Sequence, residues 1–587
     1  MTNVLTRSND TFRSGHNPSE TILTHKSVTD RGIHRLFSLP MHGDRLGSEG
    51  QPLIAELKMP DGVSLNVCFA ADMAGNAYAW NADNGKVLWN KHIASPIKGS
   101  HDIDFHNIND NWCFLSTPTI DIERGVIYLC SWSSPNHTVK NASFHIHALK
   151  ISDGTLIRPP ESLQGVVYKP PGGLPEQRFN SAARKQRAAL TLSQVKDGHG
   201  KFHKILWIAF GSVKETGLEA RGWVVAIDLE TWSKTAWTSA VKFNGGGIWQ
   251  GAQGLTVEPQ TGDCLGMTGN GAFDGISEFG ECFFRLRYTF PPQIACIDHW
   301  SPFSDTGRDG ADPTLVDDSL ILGKVKATIN RASNFNNFLD QDLGSGGPLL
   351  IEEFGLLLGA GKDGIAYVFD VKNMGKTKAG DFAPDKISEN YAKLKSSPIW
   401  FTYFPGFGVS PSPTKLTDLD TLFQGRTHHQ HSTPVHIKTA LGHRIFTWGE
   451  NGNLRAWSID SIGKLTYLAC SAEIASVESP VSNFQHGGMP GGMISGSSNG
   501  GQSGTALIWA LIPYGDANTM ISQGRFLVYD ADNWGSFPDG SKQIRVLWDS
   551  QKWALSFKFN KFNIPTVANG KIYLPTYESR IDVYGLA

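Results

Sequence analysis

Seven side chains of types that bind polar ligands lie at matching points of a repeated strand pattern. Each one either precedes the first strand of a repeat or follows the second strand. An aromatic ring, an amide, carboxylates, imidazoles and an ammonium group on one concave surface are what a polar cofactor or ligand site requires. The sequence therefore predicts a ligand site where these segments converge. The seven residues are Trp249, Asn270, Asp340, Asp342, Lys362, His431 and His486.

Each of these residues also has a purely structural explanation. Asp and Asn in tight turns commonly cap backbone N–H groups, and Trp commonly packs between sheets. The set as a whole favours a ligand site more strongly than any single member does.

The elements that must position these residues are short β-strands. β-branched and aromatic runs are broken throughout by Gly, Asn and Asp turns, which indicates an all-β protein. The first clear repeat is "QPLIAEL…NVCFAADMAGNAYAWNADNGKVLW", residues 51–89. Further copies open at residues 116, 187, 251, 344, 431, 487 and 563. Eight such units predict one eight-bladed β-propeller with blades of four antiparallel strands.

The last copy is one strand short. Its three predicted strands, residues 563–567, 571–576 and 580–584, end the chain, whereas "HRLFSLP" (34–40) precedes the first opener without a partner. Because an open ring would expose sheet edges, we expect residues 34–40 to complete the last blade. This predicts a single propeller domain over residues 34–587. Residues 1–33 would form an arm that lies over the surface of the propeller.

The composition excludes several classes of protein. A net charge of −2 favours binding neither to nucleic acid nor to an anionic membrane. No run approaches the roughly 20 apolar residues of a membrane span, and the N-terminus lacks a signal-peptide core, so a cytoplasmic location is the default expectation. The seven cysteines form no CxxC pair, which predicts neither a disulfide framework nor a zinc site.

Propeller geometry brings the candidate residues to one face. The segment that leads into each first strand and the turn between the second and third strands lie at the same end of a blade. The segment "RKQRA" adds Arg187 to this face, and the turns add Glu215 or Glu219, together with Glu450. We therefore expect one channel mouth that binds a small-molecule substrate, a cofactor, or a protein or glycan ligand.

The repeat "AGNAYAWNADNGKVLW" resembles that of the pyrroloquinoline-quinone (PQQ) propeller proteins. This family includes quinoprotein alcohol dehydrogenases, whose relatives are often periplasmic or secreted, and cofactor-free members such as an outer-membrane assembly lipoprotein. "GGGIWQGAQGL", "MTGNGAFDG", "DQDLGSGGPLL", "GAGKDGIAYVFD" and "MPGGMISGSSNG" are most similar to bacterial members whose role is undefined.

The resemblance implies roles for individual residues. It would make Trp249 the ring that stacks on PQQ, Asn270 and the imperfectly matched Glu219 ligands of Ca²⁺, and Lys362 the group that contacts the quinone oxygens. In the predicted mouth, Arg187, His431 and His486 would add cofactor contacts, and Asp340 or Asp342 would act as the base.

Two features of the enzymes have no counterpart here. No two cysteines are adjacent, and "CFFRLRYTF", which corresponds to the stretch before the enzymes' catalytic Asp, has Arg287 and no Asp. The sequence therefore leaves three hypotheses open. They are a PQQ- and calcium-dependent oxidoreductase, a cofactor-free scaffold for a protein or glycan, and an enzyme of another chemistry that uses His431 or His486.

Overall fold

Short apolar strands separated by turn residues follow one another along the chain, as the sequence predicts. The computed structural model describes residues 1–58, 62–214, 217, 219–301, 342–362, 364–377, 400–403, 429–476 and 488–587. Eight four-stranded antiparallel sheets form an eight-bladed β-propeller. Each predicted opener begins two to six residues before the first strand of its blade.

The first four blades follow in chain order. Blade 1 consists of Leu53–Lys58, Ser64–Ala71, Asn76–Asn81 and Val87–His92. Blade 2 consists of Thr119–Asp121, Val126–Ser133, Ser143–Lys150 and Glu161–Ser162. Blade 3 consists of Thr191–Lys196, Phe202–Ser212, Trp223–Asp228 and Lys234–Thr238. Blade 4 consists of Thr256–Val257, Cys264–Met267, Phe283–Thr289 and Gln293–Trp300.

The remaining four blades complete the ring. Blade 5 consists of Leu349–Ile351, Leu356–Ala360, Ile365–Asp370 and Trp400–Tyr403. Blade 6 consists of Val435–Thr439, Gly442–Thr447, Asn453–Ile459 and Leu465–Ile474. Blade 7 consists of Met493–Ser497, Leu507–Pro513, Gln523–Asp530 and Val546–Asp549. Blade 8 consists of Thr566–Ala568, Lys571–Thr576, Arg580–Leu586 and Ile33–Pro40.

The ring closes as predicted. Strand Ile33–Pro40 pairs antiparallel with Arg580–Leu586, with Phe37 opposite Val583 and a register shift between Arg35 and Phe37. The N-terminal strand is therefore the outer strand of the C-terminal blade. This pairing gives blade 8 its fourth strand and covers the outer edge of Arg580–Leu586.

Other regular elements are short. The described residues contain one α-helix, His25–Arg31, which is capped by Thr24. Two-residue strands are His16–Asn17, Ile97–Lys98, Asn111–Trp112, Val167–Tyr168, Gln177–Arg178, Arg184–Lys185, Gly535–Ser536, Lys542–Gln543 and Phe557–Lys558. The 3-10 helices are Val139–Asn141, Ser181–Ala183, Gln250–Ala252, Leu343–Ser345, Glu352–Phe354 and Ser550–Trp553. Within the described ranges, no helix has the length and apolar character of a membrane span.

Large aromatic side chains fill the space between blades. Trp89, which ends the first repeat, is buried, and its indole N–H donates to Ile151 O in blade 2 at 3.0 Å. This contact matches the predicted role of the repeat Trp. Nine further Trp side chains are less than 2% exposed: Trp80, Trp132, Trp207, Trp223, Trp237, Trp300, Trp448, Trp457 and Trp509.

The N-terminal segment differs from the expected surface arm. First strands of neighbouring blades contact one another, so they line the channel, and residues 4–17 run along them inside it. Backbone N–H groups of first strands donate to this segment; the pairs include Ile120 to Leu5, Leu350 to Phe12 and His436 to Ser14. The inner edge of each first strand has no sheet partner, so the segment satisfies groups that would otherwise be unpaired. We call residues 4–17 the plug.

Candidate functional site

The predicted convergence of segments at one channel mouth is seen in the contacts. The Asn270 N–H, after the second strand of blade 4, donates to Asp342 Oδ1 at 2.9 Å. Asp342 precedes the first strand of blade 5, and its Oδ2 accepts from Lys362 Nζ at 2.7 Å. Lys362 lies in the second-to-third turn of the same blade. Lead-in segments and turns from neighbouring blades therefore meet at one end of the channel.

Trp249 is held at the mouth by an unusual backbone. Three consecutive residues after it, Gln250, Gly251 and Ala252, have φ values of 48°, 53° and 69°. The Gln250 side chain is buried, and its Oε1 accepts from the Met267 N–H at 2.7 Å, which fixes the turn. Such left-handed conformations of non-glycine residues persist only where surrounding contacts impose them, and they concentrate at functional sites.

A small aromatic cluster surrounds Trp249. Its half-buried indole lies 5.9 Å from the His431 ring and 5.7 Å from the Phe562 ring, measured between centroids. Phe562, in the lead-in of blade 8, is 6% exposed and has a φ of 66°. Phe562 was not among the residues predicted from the sequence. Its only signal is its position just before the last opener, "KFNIPTV".

Asp342 and Lys362 form a buried ion pair. Their side chains are 14% and 8% exposed, and Asp342 O also accepts from the Lys362 N–H at 3.0 Å. The Asn270 N–H bond to Asp342 ties blade 4 to blade 5, and the ion pair lies at the edge of the mouth. The catalytic role of Asp342 stays a prediction. Asp340 and His486, the other predicted base and imidazole, lie outside the described residues.

The predicted calcium ligands have other partners. Glu219 Oε2 lies 3.0 Å from Arg184 Nη2, and the Glu219 side chain is 65% exposed whereas that of Arg184 is 1% exposed. Burial lowers the pKa of Arg184 to about 10, although Glu219 opposes this shift. Asn270 O accepts from the Gly246 N–H at 2.5 Å. The calcium role of Asn270 and Glu219 stays a prediction, and Glu215 is outside the described residues.

Arg187 reaches the mouth but ties lead-in segments together. Its guanidinium donates to Glu49 O and Leu115 O, both at 2.6 Å, and to Lys561 O at 2.9 Å. Its Nη2 also lies 3.1 Å from Glu49 Oε2. Glu49 Oε1 accepts from the Tyr577 hydroxyl at 2.6 Å, and burial, with Glu49 adding to it, raises the pKa of Tyr577. Arg187 thus links blades 1, 2, 3 and 8.

A histidine and carboxylate group lies beside the aromatic cluster. His429 and His431 lead into blade 6, and Glu450 lies in the second-to-third turn of the same blade. His431 Nε2 is 2.6 Å from Glu450 Oε1, and His429 Nδ1 is 3.7 Å from Glu450 Oε2. His431 and Glu450 were predicted on this face without being connected, and "HHQH" (428–431), which contains His429, was interpreted as a solvated loop rather than a metal site.

The plug closes the channel beneath the mouth. Arg7 at its tip donates to Phe562 O at 2.5 Å and to Asn563 Oδ1 at 3.2 Å, and Ser8 Oγ donates to Gln253 Oε1 at 2.8 Å. Burial, followed by repulsion from Arg187 and Arg13, holds the pKa of Arg7 well below its usual value. The floor of the mouth is therefore rich in buried cationic groups.

Comparison with known proteins supports the fold. Neither a protein-family model nor a curated protein sequence matches the chain. Among solved structures, the quinohemoprotein alcohol dehydrogenase from Comamonas testosteroni is similar at 12% identity and a TM-score of 0.50, over 100% of this chain and 80% of that chain. A quinohemoprotein alcohol dehydrogenase from Pseudomonas putida has 13% identity and a TM-score of 0.46, over 100% and 80%. At these identities the likeness concerns the fold alone.

Proposed function

We propose that the protein is a quinoprotein-like oxidoreductase whose channel mouth binds PQQ or a similar planar, anionic cofactor. The observation that carries the proposal is the half-buried indole of Trp249, which lies at the mouth beside His431 and Phe562. PQQ is a flat quinone with three carboxylates. A flat ring stacked on Trp249 would bury apolar area and gain the favourable geometry of offset aromatic pairs.

Positive charge around the indole suits the carboxylates of such a cofactor. Lys561, beside Phe562, has an ammonium group 5.5 Å from the Phe562 ring, and burial lowers the pKa of Lys561. Arg187 lies 5.8 Å from the same ring, and Lys362 lies at the edge of the mouth. An anion bound there would offset the cost of burying these cations.

The residues at the mouth have separable roles in this proposal. Lys362 would orient the quinone oxygens, and Asp342 holds the Lys362 ammonium at 2.7 Å. Asp342 would also take the hydroxyl proton of an alcohol. The bound quinone would supply the electron acceptor. Trp249 would exclude water from one face of the ring.

Calcium fits the described side chains less well than the quinone does. Glu219 is largely exposed and is paired with Arg184, whereas Ca²⁺ requires six to eight oxygen ligands. Glu219 would therefore have to leave Arg184 to share an ion with Asn270. No step of the proposed chemistry is assigned to calcium.

The proposal is tested by titrating the purified full chain with PQQ, with and without Ca²⁺, while absorbance and melting temperature are measured. A cofactor that binds the folded protein raises the melting temperature, by mass action. We expect the shift to be lost in Trp249→Ala. Trp553→Ala is the matched control, because this indole is 50% exposed and packs on His34 away from the mouth.

A cofactor-free scaffold is the second candidate, and one observation favours it. Lys362 and Arg187 already donate hydrogen bonds to protein carboxylate and carbonyl oxygens. These two cations therefore do not require a bound anion as a partner. In that case saturating PQQ would leave the melting temperature of both the wild type and the Trp249→Ala variant unchanged. This outcome would overturn the quinoprotein proposal and leave a protein- or glycan-binding mouth.

A further inference from the structure

We infer that His429, His431 and Glu450 bind a divalent transition-metal ion at the channel mouth. The inference goes beyond the proposed cofactor, because the site and its occupant do not depend on a quinone. One candidate ligand atom from each residue lies within 4.8 Å of the other two. A search of the described residues for three or more His, Cys, Asp or Glu side chains close enough to share an ion finds these three.

The spacing of the three side chains is close to that of bound ligands. Ligand atoms at about 2.0–2.2 Å from one ion can be no more than about 4.4 Å apart. The separations of 2.6 Å between His431 and Glu450 and 3.7 Å between His429 and Glu450 fall within this limit. These two separations involve different oxygens of Glu450, and one ligand atom of each residue lies within 4.8 Å of the other two, so the side chains would have to shift to bring all three to one ion.

Burial favours a cation at this position. The three side chains are 0%, 1% and 0% exposed, in the order His429, His431 and Glu450. A carboxylate removed from water is stabilised by positive charge placed beside it. A dication held by the three groups would supply that charge. A protonated His431 paired with Glu450 is the competing explanation, which the experiment below distinguishes.

The ligand types select the class of metal. Two imidazole nitrogens and one carboxylate oxygen suit Zn²⁺, Fe²⁺ and their neighbours in the first transition row. Calcium requires oxygen ligands and is disfavoured here. Three protein ligands also leave at least one coordination position open for water or a substrate atom. A molecule in that position would contact the rings of Trp249 and Phe562, which lie 5.9 Å and 6.1 Å from that of His431.

The backbone around the three ligands is fixed before any ion arrives. The Glu450 N–H donates to His429 O at 3.0 Å, which joins the turn to the lead-in segment. Between the histidines, Gln430 N–H donates to Gly361 O at 3.1 Å, and Gln430 O accepts from Ser345 Oγ at 2.6 Å. Such outer contacts orient metal ligands and lower the entropy lost on binding.

Close approach of blade 4 adds to this rigidity. A Cβ on Gly251 would lie 2.0 Å from His431 O and 2.8 Å from Ser345 O. A Cβ on Gly449 would lie 2.9 Å from His429 O. Both positions exclude larger residues, so three lead-in segments and one turn are packed against each other at the ligands.

The test uses the full chain without a metal-binding tag and without quinone. The protein is treated with a chelator, dialysed and titrated with Co²⁺ while visible absorbance is measured; Zn²⁺ competition follows. We expect one metal ion per chain and an absorption band typical of low-coordinate Co²⁺. Glu450→Gln and His431→Gln should each weaken binding by more than about tenfold. His443→Gln, in the same blade but paired with His436, should leave binding unchanged.

Several outcomes would overturn the inference. The wild type could fail to bind one equivalent of Co²⁺, and its melting temperature could stay the same with Zn²⁺ or chelator. This result would indicate that His431 and Glu450 form a buried ion pair without a metal. Unchanged Co²⁺ affinity in Glu450→Gln would place the metal elsewhere. Because a single variant could unfold, circular dichroism is measured for each one, and His429→Gln gives an independent third substitution. Failure of PQQ binding would leave this test unaffected.

Discussion

Two groups of histidines lie at different depths of the same channel and differ in what surrounds them. At the mouth, His429 and His431 meet Glu450, whose side chain is 0% exposed. Beside the plug, the His436 and His443 rings stack with centroids 5.1 Å apart. Their nearby carboxylate, Glu353, is 53% exposed and lies 3.6 Å from His443.

Residue type alone therefore does not define a site. The mouth histidines precede the first strand of blade 6, whereas His436 lies in that strand and His443 in the next, and both groups have an acidic residue within reach. Only the mouth group has a carboxylate from which water is excluded, so only there does burial favour a bound dication. Near the plug, burial instead holds the histidines neutral; it lowers the pKa of His16 and of His436 to about 3.

The largest expected effect tests whether the plug is held by specific polar contacts. Arg13 is 0% exposed and donates to Leu255 O, Thr6 Oγ1, Arg7 O and Thr191 Oγ1 at 2.6–3.1 Å. Arg13→Met leaves these acceptors without their donor, so we expect the free energy of unfolding to fall by about 3–5 kcal/mol. Chemical denaturation measures this change.

Arg7→Met is the matched variant within the plug. In the described part of the chain, Arg7 makes two hydrogen bonds and no ion pair, and its charge is repelled by Arg187 and Arg13. Its removal relieves that repulsion, so we expect a loss of less than about 1.5 kcal/mol. Equal losses in the two variants would contradict the view that Arg13 specifically anchors the plug.

The next effect tests the close packing at the mouth. Gly251 has a φ of 53°, and an added Cβ would meet His431 O at 2.0 Å. Gly251→Ala should therefore lower the free energy of unfolding by about 3 kcal/mol or more, through backbone strain and displacement of the lead-in of blade 6. It should also abolish Co²⁺ binding.

Gly500→Ala is the control that measures the cost of backbone strain alone. Gly500 has a φ of 56°, and nothing lies within 4 Å of its added Cβ. Its substitution should cost only about 1 kcal/mol, the price of a left-handed alanine. If both variants lose the same stability, the packing at the metal ligands is looser than the distances indicate.

Local sequence signals account for the fold better than for the site. The strand pattern and the lone segment 34–40 were enough to predict eight blades and their closure, because alternation and turn residues act locally. The plug was not predicted, since its partners are unpaired inner edges that exist only once the ring has formed. Phe562 and His429 were missed for the same reason: their neighbours come from other blades or from a distant turn.

The smallest effect concerns the histidines beside the plug and depends on pH. His16 is 7% exposed, its Nε2 lies 2.9 Å from Ser498 Oγ, and burial, followed by repulsion from His436, lowers its pKa to about 3 from 6.5. Between these two values the unfolded chain binds more protons than the folded chain, so the free energy of unfolding falls as the pH falls through this range. At pH 5 the loss due to His16 is about 2 kcal/mol.

His16→Gln keeps a donor and an acceptor at this position and removes the titration. We therefore expect the variant to show a shallower decline of unfolding free energy than the wild type below pH 6.5 and a parallel curve above it. Urea denaturation over a pH series measures both curves, and their difference cancels the common contribution of the carboxylates. Coincident slopes would mean that the plug opens to admit a charged His16, and the contrast between neutral histidines beside the plug and a buried carboxylate at the mouth would then fail.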